Sequence, residues 1–362
     1  MTQPILRASE LAKHYPIERS FLGRPVRWLR AVDGVSFEIG RGETLSLVGE
    51  SGCGKSTTGR MLVRLIEPTS GQVEFEGHRI DSGAAAPRQM SRKIQFIFQD
   101  PYASLNPRMS VGEAVAEPLR LHNLVPTRQY RSRIAELLDM VGLPAAFAGR
   151  YPHQLSGGQR QRVGIARALA GEPSFIVCDE AVSALDVSVQ AQILNLLKTL
   201  KVRLGLSLLF IAHDLAVVKH ISDRVAVMYL GQFVEIAPVA ELFSAARHPY
   251  TQALLASIPR PGFDHERSAA IQGDVPSPID PPSGCRFHTR CPLRVDICAT
   301  TSPSLEAIGP AQSVACHRWR DVRPTPPAQA VADEISSARI RRLLASFGGA
   351  ASANPHPRES CP

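Results

Sequence analysis

The clearest chemical feature of this sequence is a glycine-rich stretch that consists of Gly49, Glu50, Ser51, Gly52, Cys53, Gly54, Lys55, Ser56 and Thr57. Its three glycines let backbone N–H groups wrap a phosphate at the N-terminus of a helix, where the helix dipole favours anions. The lysine can pair with the β- and γ-phosphates of a nucleotide, and the serine hydroxyl can coordinate Mg²⁺. A glycine turn before a capped helix is the alternative interpretation. The full spacing instead predicts a binding loop for a nucleoside triphosphate.

Two carboxylates, Asp179 and Glu180, end an apolar run over residues 175–178 that has the composition of a buried strand. We predict that Asp179 holds Mg²⁺ through its water shell and that Glu180 orients and deprotonates the attacking water. A general base of this kind contributes about 10²- to 10⁴-fold to a rate. On their own, two acidic residues at a strand end could equally face solvent. The preceding phosphate-binding loop favours the catalytic role.

A second candidate site for an anion consists of Ser156, Gly157, Gly158 and Gln159, which follow Leu155. A serine with glutamine three residues later has the pattern of a capping box at the start of a helix. The cap, the two glycines and the helix dipole suit the γ-phosphate of a nucleotide that a partner subunit holds. The alternative is a well-capped helix that binds nothing.

Alternating strands and helices must position these residues, which predicts an α/β fold with a mainly parallel, covered sheet. The expected elements are strand 43–48, helix 55–65, strand 94–98, a helical stretch 102–143, strand 175–178, helix 190–203 and strand 206–211. The helical stretch carries its own breakers, so we expect an inserted subdomain. Helix 190–203 should bury one face at helical spacing, made of Ile193, Leu196, Leu197, Leu200 and Leu204.

The order of these motifs, together with residues 160–169 after the Ser-Gly-Gly-Gln stretch, resembles the ATP-binding cassette (ABC) family of P-loop NTPases. The resemblance implies a cassette whose sheet has an antiparallel part beside the parallel one, and two such cassettes that enclose ATP between them. It assigns three further residues. Gln99 would sense Mg²⁺ and the γ-phosphate and link to membrane subunits, Asp186 would lie in the loop that crosses the dimer interface, and His213 would contact the γ-phosphate.

The resemblance also implies an aromatic side chain that stacks on adenine. Tyr15 matches that position, although Phe21 and Trp28 also precede the glycine-rich loop and are alternatives. The sequence departs from the common family pattern at Ala181, where proline is usual. Neither alanine nor proline does chemistry, so we expect hydrolysis to be intact.

Four cysteines are clustered near the C-terminus, at Cys285, Cys291, Cys298 and Cys316. Four thiols in a short segment suggest a tetrathiolate site for Zn²⁺ or an iron–sulfur cluster, and free thiols are a third possibility. The segment, with residues 248–255 before it, resembles ATPase subunits of dipeptide and oligopeptide importers, where four such cysteines imply a [4Fe–4S] cluster. Because the chain is expected to be cytosolic, a disulfide framework is not expected.

The resemblance covers about residues 5–320 and implies a division of the chain into an ABC domain (1–259, with a helical subdomain at about 100–168), a Cys-rich extension (260–322), and a linker with a flexible tail (323–362). The arginine-bearing segment after Tyr15 looks like the F-type member of the importer ATPase pair. The implied partners are a second, related ATPase in a heterodimer, two membrane-spanning permease subunits and an extracytoplasmic solute-binding protein.

Composition excludes some classes of function. The chain has 362 residues, 44% hydrophobic and 20% charged, as in ordinary globular proteins. No apolar run reaches the roughly 18 to 20 residues of a membrane span, and the N-terminus lacks the pattern of an export signal. We therefore expect a peripheral protein on the cytoplasmic face of the inner membrane. A net charge of +8 leaves a nucleic-acid ATPase as a rival class. A single compact cassette instead favours a transporter of peptides, nickel or glutathione, so we expect no nucleic-acid partner.

Overall fold

The structure is a computed structural model, and it describes residues 3–21, 25–80, 88–100, 104–183, 185–258 and 273–323. The strands are β1 (Leu6–Arg19), β2 (Pro25–Ile39), β3 (Thr44–Val48), β4 (Ser70–Phe75), β5 (His78–Arg79), β6 (Ile94–Ile97), β7 (Phe175–Asp179), β8 (Ser207–Ile211), β9 (Arg224–Tyr229), β10 (Gln232–Pro238), β11 (Glu306–Ala307) and β12 (Ser313–Val314). The helices are α1 (Lys55–Leu62), α2 (Arg88–Lys93), α3 (Val111–Leu121), α4 (Tyr130–Met140), α5 (Gly157–Ala170), α6 (Val187–Leu204), α7 (Leu215–Ile221), α8 (Val239–Ala245), α9 (Pro249–Ala256) and α10 (Asp296–Thr300).

Two sheets organise the chain. The strands β2, β1, β4 and β5 form an antiparallel sheet, and the central sheet has the order β11-β12-β10-β9-β3-β8-β7-β6. From β9 to β6 the neighbouring strands are parallel, whereas β10, β12 and β11 are antiparallel. Every position of β3, β7 and β8 is buried, because helices and the second sheet cover a parallel sheet on both faces. The predicted α/β fold with an antiparallel β part is confirmed.

The helices α3, α4 and α5 pack on one another between β6 and β7 in the sequence. Ser110 and Glu113 form a capping box that starts α3, and Pro118 lies inside that helix without ending it. The predicted helical character of this stretch is confirmed, although residues 101–103 lie outside the described residues.

Two details of the predicted helices are wrong. Helix α1 ends at Leu62 rather than residue 65, because Arg64 adopts a left-handed backbone with φ of 58°. On α6, Leu204 is 43% exposed and Leu196 only partly buried, while Leu194 is buried. Leu204 is the last helical residue before the left-handed Gly205, so its side chain extends past the surface that α6 covers.

The Cys-rich region joins the central sheet. Its strand β12 pairs with β10, where Val314 lies opposite Glu235, and β11 continues the sheet outward. The predicted domain boundaries stay a prediction. Residues 259–272 and 324–362, which include the predicted linker and tail, lie outside the described residues. Among the described helices, none is long and apolar enough to cross a membrane.

Candidate nucleotide site

The glycine-rich loop lies between β3 and α1, as predicted. Gly49 has φ of 152° and Gly54 has φ of 107°. A Cβ at Gly49 would collide with the carbonyl oxygen of Met228, and a Cβ at Gly54 with that of Ala31. Because both obstacles are backbone atoms that cannot move aside, these two positions require glycine. The loop conformation is therefore set by the β-strands packed behind it.

Lys55 places a cation inside this loop. Its side chain is almost completely buried, and Nζ donates hydrogen bonds to the carbonyl oxygens of Gly49 (2.8 Å) and Glu50 (2.9 Å). Both partners are neutral. Since a buried charge is stabilised most by an opposite charge, a phosphate is the favoured ligand next to this ammonium. Burial raises the pKa of the neighbouring Cys53 thiol, which keeps that side chain neutral.

Two oxygen-bearing side chains meet between α1 and β7. Ser56 Oγ donates a hydrogen bond of 2.7 Å to Asp179 Oδ1, and Arg60 Nη2 lies 3.7 Å from Asp179 Oδ2. Burial raises the pKa of Asp179, while the bond from Ser56 and the charge of Arg60 oppose that rise. A hydroxyl and a carboxylate are ligands that Mg²⁺ prefers. These two predicted Mg²⁺ residues therefore lie together, and Thr57 follows Ser56 on α1.

The predicted catalytic residues converge at the carboxyl ends of three parallel strands, β6, β7 and β8. Gln99 Nε2 donates a hydrogen bond of 2.7 Å to Glu180 Oε2, and His213 Nδ1 lies 3.7 Å from the same oxygen. Glu180 itself adopts a left-handed backbone with φ of 44°. A non-glycine residue in this region carries strain of about 1–3 kcal/mol, a feature that clusters at functional sites. The arrangement can position a water molecule beside a carboxylate.

The Ser-Gly-Gly-Gln stretch starts α5 as predicted. Ser156 Oγ accepts a hydrogen bond from the Gln159 backbone N–H (3.3 Å), and Gln159 Oε1 accepts one from the Ser156 N–H (3.1 Å). A Cβ at Gly158 would lie 2.5 Å from Val189 Cγ1 of α6, so this glycine is required by close packing. Within the described part of the chain, no hydrogen bond joins this stretch to the phosphate-binding loop.

Two further predicted residues, Tyr15 and Asp186, have no described contact to the phosphate-binding loop. Tyr15 is partly buried on β1, where it pairs with Leu29 and has Lys13 Nζ 5.0 Å from its ring centroid. Asp186 is exposed and precedes α6 as its N-cap residue. Adenine stacking by Tyr15 and a place for Asp186 in a dimer interface stay predictions.

Residues distant in the sequence hold the phosphate-binding loop from outside, and none of them was among the predicted site residues. The Glu50 backbone N–H donates to Tyr250 Oη (2.9 Å), and the Glu50 carboxylate pairs with Arg290. These partners lie 200 and 240 residues away along the chain. No local sequence pattern connects them to the loop.

The four C-terminal cysteines form no disulfide, and Cys316 lies close enough to interact electrostatically with the other three. The Cys285 backbone N–H donates to the Cys298 carbonyl oxygen (2.8 Å). Burial, with smaller contributions from the other thiols, raises the pKa of Cys285 to about 11 and that of Cys316 to about 12. Burial also raises the pKa of Cys291. Among the described residues, no three His, Cys, Asp or Glu side chains converge closely enough to hold one metal ion.

Comparisons with known proteins match both halves of the chain. The family model described as "ABC transporter" matches residues 32–183, and "Oligopeptide/dipeptide transporter, C-terminal region" matches residues 234–298. The chain is 49% identical over 322 residues to the oligopeptide transport ATP-binding protein AppF of Bacillus subtilis, which covers 88% of this chain and 98% of AppF.

Solved structures agree with these sequence matches. The dimeric, post-hydrolysis ATP-binding cassette MJ0796 bound to ADP and Pi has a TM-score of 0.58 and 31% identity, covering 65% of this chain and 98% of that one. The structure of cbiO1 from Clostridium perfringens, part of the ABC transporter complex cbiONQ, has a TM-score of 0.57 and 29% identity. It covers 66% of this chain and 90% of cbiO1.

Proposed function

Because this chain belongs to the ATP-binding subunits of ABC transporters, we propose that it hydrolyses ATP to energise the import of dipeptides or oligopeptides. One observation carries the catalytic part of the proposal. Gln99, Glu180 and His213 meet at one sheet edge, beside a loop built for phosphate. The peptide class rests on the C-terminal region, which matches the oligopeptide/dipeptide family, and on AppF.

The site residues suggest a division of labour in hydrolysis. Ser56 and Asp179 would hold Mg²⁺, which neutralises charge on the transferring phosphoryl group. Lys55 would exchange its bonds to the loop carbonyls for bonds to phosphate oxygens. Glu180 would take the proton of the attacking water, Gln99 would hold the carboxylate in place, and His213 would contact the γ-phosphate.

A second cassette completes this site in our proposal. Ser156–Gln159 lies at a helix N-terminus suited to an anion, yet it makes no hydrogen bond to the phosphate-binding loop of its own chain within the described residues. We therefore assign the Ser-Gly-Gly-Gln stretch of each subunit, together with Asp186, to the nucleotide of the other. The partner would be a second, related ATPase in a heterodimer.

The membrane partners would be two permease subunits fed by an extracytoplasmic solute-binding protein, with this chain on the cytoplasmic face of the inner membrane. An apolar cleft between the central sheet and α3 supports permease docking at the helical region. Its lining includes Leu65, Met90, Phe98, Pro118 and Leu121. The family resemblance implies that residues 102–117 receive the permease, and Glu117 lines this cleft.

Substitution of Glu180 tests the catalytic assignment. We expect Glu180→Gln to bind ATP but to hydrolyse it about 10²- to 10⁴-fold more slowly, because the amide cannot accept the proton of water. Glu172→Gln is a matched control, since Glu172 also has a positive φ (53°) but precedes β7 instead of following it. Hydrolysis by Glu180→Gln at the wild-type rate would contradict the assignment.

Uptake measurements test the substrate class. Cells that carry wild type or Glu180→Gln would receive labelled dipeptides, longer peptides, glutathione and nickel. We expect peptide uptake to be lost in the variant. Loss of nickel or glutathione uptake alone would replace the peptide assignment, and a salt-dependent association with DNA or RNA would favour the nucleic-acid class instead.

We also propose that Cys285, Cys291, Cys298 and Cys316 hold a [4Fe–4S] cluster. The four thiols share one partly buried neighbourhood, in which Cys316 interacts electrostatically with Cys285, Cys291 and Cys298. Thiolates are the ligands of iron–sulfur clusters and of structural Zn²⁺, so Zn²⁺ and free thiols are the alternatives. Anaerobic purification with iron, sulfide and zinc analysis tests this, with Cys298→Ser as the disrupting variant and Cys361→Ser as the control. A colourless, iron-free wild-type protein would refute the cluster.

A further inference from the structure

We infer that Arg290, in the Cys-rich extension, is a positioning residue for the phosphate-binding loop, so that nucleotide affinity depends on the extension. The inference rests on the proposed ATP site and adds to it a residue outside the cassette motifs.

The contact between Arg290 and the loop is a partly buried, two-point ion pair. Arg290 Nη1 lies 2.8 Å from Glu50 Oε2, and Nη2 lies 3.1 Å from Glu50 Oε1. Arg290 Nη1 also donates to Tyr229 Oη (3.3 Å), and its side chain is only 5% exposed. The hydrogen bond to Glu50 raises the pKa of Arg290. Bidentate pairs of this kind fix orientation as well as distance.

Glu50 passes this constraint to the lysine that binds phosphate. Its carbonyl oxygen accepts the hydrogen bond from Lys55 Nζ, and its backbone N–H donates to Tyr250 Oη. The carboxylate, the N–H and the carbonyl of one loop residue are therefore all held, by the extension, α9 and α1 respectively. Loss of the Arg290 contact would leave the Glu50 residue freer to move, and with it the carbonyl that holds Lys55 in place before phosphate binds.

A second arginine of the extension supports the same loop from its other side. Arg286 donates to the Leu230 carbonyl oxygen and to the Asp33 carboxylate. The neighbouring Gly231 N–H donates to the Cys53 carbonyl oxygen inside the loop (2.9 Å). Burial is the largest single influence and would raise the pKa of Asp33, but the charges and hydrogen bonds of Arg286 and His14 together lower it. The carboxylate thus stays ionised beside Arg286.

Geometry distinguishes this role from simple attachment of the extension. The apolar anchor is Phe287, which is 2% exposed and packs with its ring centroid 5.3 Å from those of Tyr229 and Tyr250. Apolar packing suffices for attachment, and an ion pair that is at least partly removed from water adds little stability over apolar residues of similar size. The pair does supply a fixed orientation for Glu50.

The test compares nucleotide affinity with stability in the full chain, using titration calorimetry of MgADP and MgATP. We expect Arg290→Met and Glu50→Gln each to weaken binding about tenfold, or about 1.4 kcal/mol, and the double variant to weaken it no further. Arg290→Lys keeps the charge but loses the planar group that makes two hydrogen bonds, so its affinity should lie between those of wild type and Arg290→Met. Arg318→Met is the control, because it breaks an exposed pair with Asp321 in the same extension.

Thermal unfolding without nucleotide separates the two roles. A merely structural Arg290 would lower the Tm of Arg290→Met and leave the affinity of the folded protein unchanged. Affinities within twofold of wild type for Arg290→Met and Glu50→Gln, or effects that add in the double variant, would overturn the inference while leaving the proposed function intact. A wild-type chain that bound neither nucleotide would overturn both.

Discussion

The buried histidine at the start of α9 predicts a specific loss of stability at acidic pH. His248 is 1% exposed, and its Nδ1 accepts a hydrogen bond from the Tyr250 backbone N–H (3.1 Å). The ring is therefore neutral, with Nδ1 unprotonated, and it caps the helix that carries Tyr250 to the phosphate-binding loop. Burial lowers the pKa of His248 from 6.5 to about 3.

The magnitude follows from proton linkage. Below pH 6.5 the unfolded chain binds a proton at His248 that the folded protein does not bind, so unfolding becomes easier as the pH falls. The contribution to stability is complete above pH 6.5 and is lost progressively toward the folded pKa. Between pH 8 and pH 5 the free energy of unfolding should fall by about 2 kcal/mol from this residue alone. At lower pH the slope approaches about 1.4 kcal/mol per pH unit.

Urea unfolding of wild type and His248→Asn at several pH values between 8 and 5 measures this contribution. Asparagine keeps an acceptor for the helix cap but does not titrate, so the variant should have the shallower pH dependence. Burial raises the pKa of Glu235, so Glu235 stabilises the folded protein as the pH falls, opposite to His248. Because Glu235 is present in both proteins, its contribution cancels when their unfolding free energies are compared. His153→Asn is the control, because His153 is exposed. Equal pH slopes for wild type and His248→Asn would refute the reasoning.

Three further predictions concern packing and nucleotide contacts. Gly158→Ala should lower ATPase activity and stability, because a Cβ there would lie 2.5 Å from a valine methyl group of α6. Gly164→Ala on the same helix is the control; its Cβ would have open space around it, so neither activity nor stability should fall. Phe287→Ala should cost about 3–5 kcal/mol of unfolding free energy, measured by urea titration, and a cost below 1 kcal/mol would contradict the described burial. Tyr15→Ala should weaken ATP binding by about 1–3 kcal/mol if its ring stacks on a base, whereas an equal loss in Trp28→Ala alone would reassign the adenine contact.

Local motifs were predictable because their chemistry is contained in a few consecutive residues. The glycine-rich loop, the capping box of Ser156 and Gln159, and the strand that ends at Asp179 appear where the sequence places them. Each of these depends on backbone geometry within one turn of chain. The buried face of α6 was less predictable. Leu194 is buried and Leu204 is exposed, because burial depends on which neighbouring elements cover the helix.

Sequence by itself determined that this chain has the residues to bind a nucleotide, because phosphate binding needs only a loop, a lysine and a helix start adjacent in the chain. Only the tertiary structure decided how that loop is held. The bond between Gln99 and Glu180 spans 81 residues, and that between Glu50 and Arg290 spans 240. Such contacts depend on strand order and on the docking of β12 against β10. No periodicity or spacing encodes them, since residues far apart in the chain meet only when the sheet brings their ends together.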